Sequence, residues 1–377
     1  MYAMVGVKKD CKYIGIVDCD LIARKQHRFP NLACMKISAY YKSKGCFVFL
    51  IESYDDQWFD ICDHVFISKV FTDTEVPEEL LLKDNVTYGG SGFYFDKAEP
   101  LPNVIEHSKP DYHLYDRYIA SKGCNSKFEA YVDYSIGFLT RGCFRGCKFC
   151  INQNKKQVLV HSPLEEFVDE SRKIICLLDD NFLGCKNWKK LLQQLQNTGK
   201  RFMFKQGLDE RLLTEEKVEM LFNSKYYGDY IFAFDNIKDY DLIESKLKLI
   251  RKYTNKENIK FYVLVGFEST DAEDIFNMFK RIELIMKYRC IPFIMKYQSK
   301  EDKPFERSKY KSLYVNVSRW CNQHTFIRKL TYREFCIGTQ KQNKTKICSA
   351  LKGLMEFEKE YPEEAKHYFD MRYGNIE

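Results

Sequence analysis

The run Tyr134-Ser-Ile-Gly-Phe-Leu-Thr-Arg-Gly-Cys143-Phe-Arg-Gly-Cys147-Lys-Phe-Cys150 reads as an apolar strand, Tyr134 to Leu139, that feeds straight into a loop of three cysteines. The spacing is Cys-x3-Cys-x2-Cys. Three thiolates in one short loop can hold three irons of a 4Fe–4S cube and leave the fourth iron open, whereas four thiolates close a cluster for electron transfer. Gly142 and Gly146 let the loop wrap tightly, and the residue before the third cysteine, Phe149, is aromatic. Zinc is the competing ligand for such a loop. It usually wants a second Cys or Cys/His pair at ligand spacing, and the downstream candidates His161, Cys176 and Cys185 form no such pair.

Beyond this loop, apolar runs alternate with helical patterns. Lys173 to Leu178, Arg201 to Phe204, Tyr230 to Phe234, Ile259 to Val265 and Ile291 to Lys296 are strand runs, and each ends in polar residues. Ser162-Pro-Leu-Glu165 and Thr270-Asp-Ala-Glu273 are capping boxes that predict helix starts; Asn187 and Thr214 predict two more. Six strand–loop–helix units over 131–299 predict a partial (β/α)6 TIM-like barrel, short of the eight of a full one. Upstream, Lys12 to Asp18, Cys46 to Ser53, His64 to Phe71 and Val86 to Tyr88 are strand runs, with a helix from Pro30 and Asn31 to Lys44, stopped by Gly45. They predict a small Rossmann-like parallel α/β domain over 1–99. The stretch 100–130 has Pro, Lys and aromatics without periodicity and reads as a linker; 300–377 reads as a basic, helical extension.

The cysteine spacing, with an aromatic before the last cysteine, resembles the radical S-adenosylmethionine (radical SAM) superfamily, and the six-unit count agrees with the partial barrel of that family. The resemblance implies that Cys143, Cys147 and Cys150 ligate a 4Fe–4S cluster whose open iron binds S-adenosylmethionine. It also implies that a reduced flavodoxin or ferredoxin supplies the electron, and that the 5′-deoxyadenosyl radical formed takes a hydrogen atom from a substrate the sequence does not name. The cofactor carries the chemistry and the protein places it. The strand ends supply the remaining candidates. Asp179, Asp180 and Asn181 stand where the family often has Gly-Gly-Glu against the SAM ammonium. They resemble instead a variant of its cobalamin-type and methylthiotransferase-like branches, as does Gln206-Gly-Leu-Asp-Glu-Arg211 after the third strand. Asp235 would meet the ribose hydroxyls, and Gly266 would let the backbone approach adenine. Met295 and Tyr297 could present apolar surface to it. Ordinary strand-end turns and Asp–Arg pairing are the plain readings of the same residues.

A parallel sheet ahead of such a barrel resembles a cobalamin-binding domain. The nearest approach to that domain's Asp-x-His-x-x-Gly motif, Asp111-Tyr-His113-Leu-Tyr-Asp116, lacks the glycine and falls after the sheet, so cobalamin is not expected. Asp18, Asp20 and Gly89-Gly-Ser-Gly92 end strands and read as turns or as a site for another ligand.

Composition bounds the rest. The chain has 377 residues, 45% hydrophobic and 30% charged, ordinary for a globular enzyme. No apolar run spans a membrane and no signal-like start is evident, which predicts a cytoplasmic protein without membrane partners. Fifteen cysteines, an odd number and mostly inside apolar runs, read as buried small hydrophobes in a reducing compartment. The net charge of +7 is concentrated between Lys300 and Lys346, with twelve basic and four acidic residues. Tyr310, Tyr314, Trp320, Phe326 and Tyr332 are interleaved there, which suggests a nucleic-acid surface as an alternative function, with a structural cluster or zinc, or a tRNA-modifying enzyme combining both. Cys321, Cys336 and Cys348 are candidates for a second cluster, against a buried-thiol reading.

Overall fold

The computed structural model describes residues 12–123, 126–152, 154–298, 302–342 and 346–374. It is a mixed α/β structure with parallel sheets. The chain divides into two compact units, the first running to Asp180 and including Gln194–Met203, the second made of Asn181–Gln193 and Phe204 onward. Among the described residues no helix is long and apolar enough to cross a membrane.

The first unit opens on a four-stranded sheet: β1 (Tyr13–Asp18), β2 (Phe47–Ile51), β3 (His64–Ser68) and β4 (Val86–Gly89), in the order β2-β1-β3-β4. Every pairing is parallel. Parallel strands are covered on both faces and therefore read as continuous apolar runs, which is how β1 and β3 are written. The helix Leu32–Ser43 packs on this sheet. It begins where Asn31 Oδ1 accepts the Cys34 N–H at 3.2 Å, and it stops at Gly45, whose φ of +82° suits glycine.

The stretch 100–130, which reads as a linker, is well packed. Leu101, Ile105, Tyr112, Leu114, Tyr115, Tyr118, Ile119 and Phe128 are all buried. The Tyr115 hydroxyl donates to Asp18 Oδ2 at 2.8 Å and accepts the Asn31 N–H at 3.0 Å. The Tyr112 hydroxyl donates to the Phe167 carbonyl at 2.6 Å and accepts the Ile136 N–H at 2.8 Å. Aromatic residues without periodicity mark an irregular segment that crosses the interior, with the Tyr112 and Tyr115 hydroxyls satisfied as it goes. The division between the two compact units falls after Asp180.

Next come β5 (Tyr134–Gly137), β8 (Ile174–Leu177) and β9 (Arg201–Phe204), a three-stranded sheet in that order, with β5 and β8 parallel. Between β5 and β8 lies a feature the sequence did not announce. β6 (Thr140–Arg141) pairs antiparallel with β7 (Leu159–Val160), matching Thr140 to Val160 and Arg141 to Leu159. This short ribbon closes the base of the cysteine loop. The helix expected from Ser162 is a single 3-10 turn, Leu164–Glu166, with no side-chain cap. Phe167 then turns inward onto Gly137, where any Cβ would stand 2.3 Å from its ring, and the Asp169 carboxylate collects the N–H and O–H of Ser171. Burial of Phe167 and this Asp-Ser turn end the helix before it can start.

In the second unit β10 (Tyr230–Ala233), β11 (Ile259–Val265) and β12 (Ile291–Lys296) form a parallel sheet in sequence order. The six strands read as one barrel thus appear as three in each unit. The helix Glu215–Phe222 is capped by Thr214 as expected. The helix Ala272–Lys287 is capped by Asp271, one residue beyond the Thr270 that the capping box pointed to. The C-terminal segment is helical, with Lys311–Cys321, Tyr332–Gln342, Ser349–Glu360 and Pro362–Phe369 as its main helices. Asn322 joins it to the sheet edge by accepting the Ile294 N–H at 2.7 Å and donating to the Ile294 carbonyl at 3.1 Å. Lys300 and Lys344 of the basic stretch lie outside the described residues.

Candidate functional site

The cysteine loop is built from the strand end outward. Gly142 has a φ of +98°, and a Cβ there would stand 2.3 Å from the Gln157 carbonyl oxygen, so the entering and returning arms touch backbone to backbone at this residue. Gly146 also has a positive φ, of +62°. Cys143, Cys147, Cys150 and Phe149 are half-buried. The loop's amides point at sulfur: the Arg145 N–H donates to Cys143 Sγ at 3.5 Å and the Asn152 N–H to Cys150 Sγ at 3.4 Å. Cys150 N donates to the Cys147 carbonyl at 3.0 Å, folding the last two cysteines into one turn. Backbone donors aimed at sulfur stabilise thiolate, the form that binds metal.

Asp179 and Asp180 sit at the end of β8 and hold this loop. Asp179 is fully buried; its Oδ1 accepts the Thr140 N–H and the Thr140 hydroxyl, both at 2.6 Å, and its Oδ2 accepts the Leu139 N–H at 3.1 Å. Burial pushes its pKa up to about 7 against these three donors, which pull the other way. Asp180 reaches both arms of the loop, accepting the Gly142 N–H at 2.7 Å and the Asn152 side-chain amide at 2.8 Å. The two carboxylates read from the sequence as candidates for a ligand ammonium are therefore occupied with backbone and side-chain donors of the cysteine loop. Asn152 is a functional residue the sequence reading missed; an Asn two positions past a cysteine reads as an ordinary turn.

The donor set fits a cluster: three sulfurs, glycine hinges and two directed amides. Among the described residues no group of three or more His, Cys, Asp or Glu side chains is gathered to hold a metal ion.

In the second unit the candidates stand in a different setting. The buried Asn181 donates through Nδ2 to Asp209 Oδ2 at 3.1 Å. Asp209 Oδ1 accepts from Arg211 Nε at 2.9 Å, and Arg211 also reaches Asp239 at 3.4 Å. Burial works against the Arg211 charge, but the bond to Asp209 and the surrounding carboxylates more than offset it, and its pKa is raised. The neighbouring Glu210 is buried, accepts the Ala233 N–H at 3.0 Å, and has its pKa pushed up to about 8 by burial. Gln206 is exposed. Asp235, its pKa raised by burial, accepts the Leu264 N–H at 3.1 Å. Gly266, with φ +72°, donates its N–H to Asp274 Oδ2 at 2.9 Å. Arg281, almost wholly buried, donates to the carbonyls of Phe234, Asp235 and Leu264 and so ties the ends of β10 and β11 together.

Two other expectations meet the structure here. Asp111 is bound to the sheet domain by Ser38 at 2.6 Å and Lys42 at 2.7 Å, while His113 is exposed and pairs with Asp116 at 2.8 Å, so the partial cobalt-ligand motif serves two separate local jobs. In the C-terminal segment Tyr310, Tyr314, Trp320 and Tyr332 are buried and Phe326 is half-buried, which commits these rings to the helical core and takes away the stacking faces that single strands use. Cys321, Cys336 and Cys348 are buried near the Tyr332 hydroxyl, and burial pushes the Cys336 thiol up to about 12 and Cys321 well above its ordinary value. Buried among aromatic rings, these thiols pack as small hydrophobes.

No protein-family model matches this chain, and no curated protein is similar to it in sequence.

Proposed function

We propose that the protein is a radical SAM enzyme of the branch with a Rossmann-like, cobalamin-domain-like N-terminal sheet and a partial (β/α)6 barrel. The observation that carries this reading is the Cys-x3-Cys-x2-Cys loop hung from the end of a parallel strand, with backbone amides directed at Cys143 and Cys150. Cys143, Cys147 and Cys150 would hold the cluster. Bound there, a reduced 4Fe–4S cluster would supply the electron for reductive cleavage of SAM to methionine and 5′-deoxyadenosine, the hydrogen atom coming from the substrate. The chain's own part is placement. Asp179 and Asp180 fix the loop, Gly142 and Gly146 allow its tight path, and Phe149 directly precedes the last cysteine. The resemblance also assigns Asn181, Gln206, Asp235 and Gly266 to the nucleoside and methionine.

The loop also speaks to partners. From Thr140 to Val160 there are five basic residues and no acidic one, and Arg141, Lys148, Lys155 and Lys156 are exposed. That charge suits an acidic electron donor such as flavodoxin or ferredoxin. It would suit nucleic acid as well, the second reading, which now rests on charge alone.

The test is anaerobic reconstitution with iron and sulfide, then SAM and dithionite. Substoichiometric iron, or SAM left intact without 5′-deoxyadenosine by mass spectrometry, sinks the main reading. Steeply salt-dependent RNA binding without SAM cleavage would favour the second.

A further inference from the structure

The base of the cysteine loop meets a buried ionic node that neither the strand ends nor the cysteines account for. Glu106 closes the short helix Asn103–Glu106, inside the stretch that reads as linker, and its side chain is 13% exposed. A single oxygen, Oε1, lies 3.1 Å from Lys36 Nζ, 3.4 Å from His161 Nε2 and 3.9 Å from Arg141. Lys36, on the helix Leu32–Ser43, is also buried and donates to the Glu106 carbonyl. Arg141 lies in β6, and His161 directly follows β7. The two feet of the ribbon therefore converge on one carboxylate. Rings stack around it: Arg141 lies over Phe138 at 4.0 Å, and His161 stacks on His107 at 5.1 Å, while His107 pairs with Glu166 at 2.9 Å.

We propose that Glu106 is a positioning residue for the cysteine loop. It holds the feet of the loop together, with Lys36 of the sheet domain locking the carboxylate in place. The ribbon has only two matched pairs, Thr140–Val160 and Arg141–Leu159. So short a ladder is weak alone, since isolated two-stranded ribbons are marginal in water. At its base the buried Lys36–Glu106 pair fixes the carboxylate that His161 Nε2 reaches at 3.4 Å, while Arg141, 47% exposed and 3.9 Å away, adds little. The N-terminal sheet domain is by this account part of the support of the cysteine loop. The inference concerns how the loop is held and does not depend on which metal or reaction the loop serves.

The test is Glu106→Gln, which keeps the shape and removes the charge, read by amide hydrogen exchange on the full chain and by alkylation rates of individual cysteines. We expect exchange across 142–158 to be roughly tenfold faster, and Cys143, Cys147 and Cys150 to alkylate correspondingly faster, while β1 and β3 keep their protection. Because the variant leaves the buried Lys36 uncompensated, the double variant Glu106→Gln/Lys36→Met is measured beside it. It should recover thermal stability and still show the loosened loop. Wild-type exchange in the loop of either variant overturns the proposal. So does a loosening spread evenly over the first unit.

Discussion

A carboxylate at a strand end faces two demands, the ligand in front of it and the backbone around it. In Asp179 and Asp180 the backbone wins: five hydrogen bonds run from the cysteine loop to their oxygens. Asp180→Ala should therefore act on the loop. We expect a loss of about 1–3 kcal/mol in local stability, seen as faster alkylation of Cys147 and Cys150, with little change in the global unfolding midpoint. An unchanged alkylation rate would return Asp180 to the role of ligand contact. At this scale the sequence was most legible where chemistry and spacing coincide. Three cysteines in eight residues announce a loop of sulfur donors whatever surrounds them. Asn152 and Glu106 were not legible, because an amide or carboxylate acquires its role from partners far along the chain, and nothing local marks which of many such residues has them.

Elements were legible in proportion to their burial on both faces. β1, β3 and β8 are written as apolar runs, and their ends were placed within a few residues. The ribbon of β6 and β7 was not, since Arg141, Leu159 and Val160 are all exposed and two residues carry no period. The interior path of 100–130 was not legible for the opposite reason: it is buried without being regular, so its aromatics follow tertiary contacts instead of a repeat. The ribbon makes its own demand at Gly142. Gly142→Ala would place a Cβ into the Gln157 carbonyl at a φ of +98°, a conformation L side chains avoid. We expect it to cost about 1–3 kcal/mol, appearing as early proteolytic cleavage between Arg141 and Lys156. Ala at the nearby Gly123, whose surroundings are open, has a positive φ but no clash and serves as the milder control.

Across the whole molecule, three deeply buried carboxyls give stability a common pH dependence. Burial raises Asp18 and Asp179 to about 7 and Glu210 to about 8. The folded chain then holds protons that the unfolded chain has released. The stability they contribute is complete below the ordinary carboxyl range and is lost as pH rises through about 7 to 8. Asp169, held down at about 2 by Ser171, has the opposite sign, and its contribution fades only in strong acid. Glu210→Gln cannot titrate, so the decline of unfolding free energy between about pH 5 and pH 8 should flatten, by up to about 1.4 kcal/mol per pH unit. Parallel curves for the variant and the parent in denaturant titrations would show that Glu210 does not carry a buried proton.

The pairing of Thr140 with Val160 has a further consequence. The chain leaves β5 and comes back beside its own exit across two matched pairs, so everything between is a detour that adds no length to the path of the main chain. Residues added at the exposed Lys155 and Lys156 would not shift the register of β5 or β8. The sulfur loop is in that sense a cassette, free to change its reach while the scaffold beneath it stays as it is.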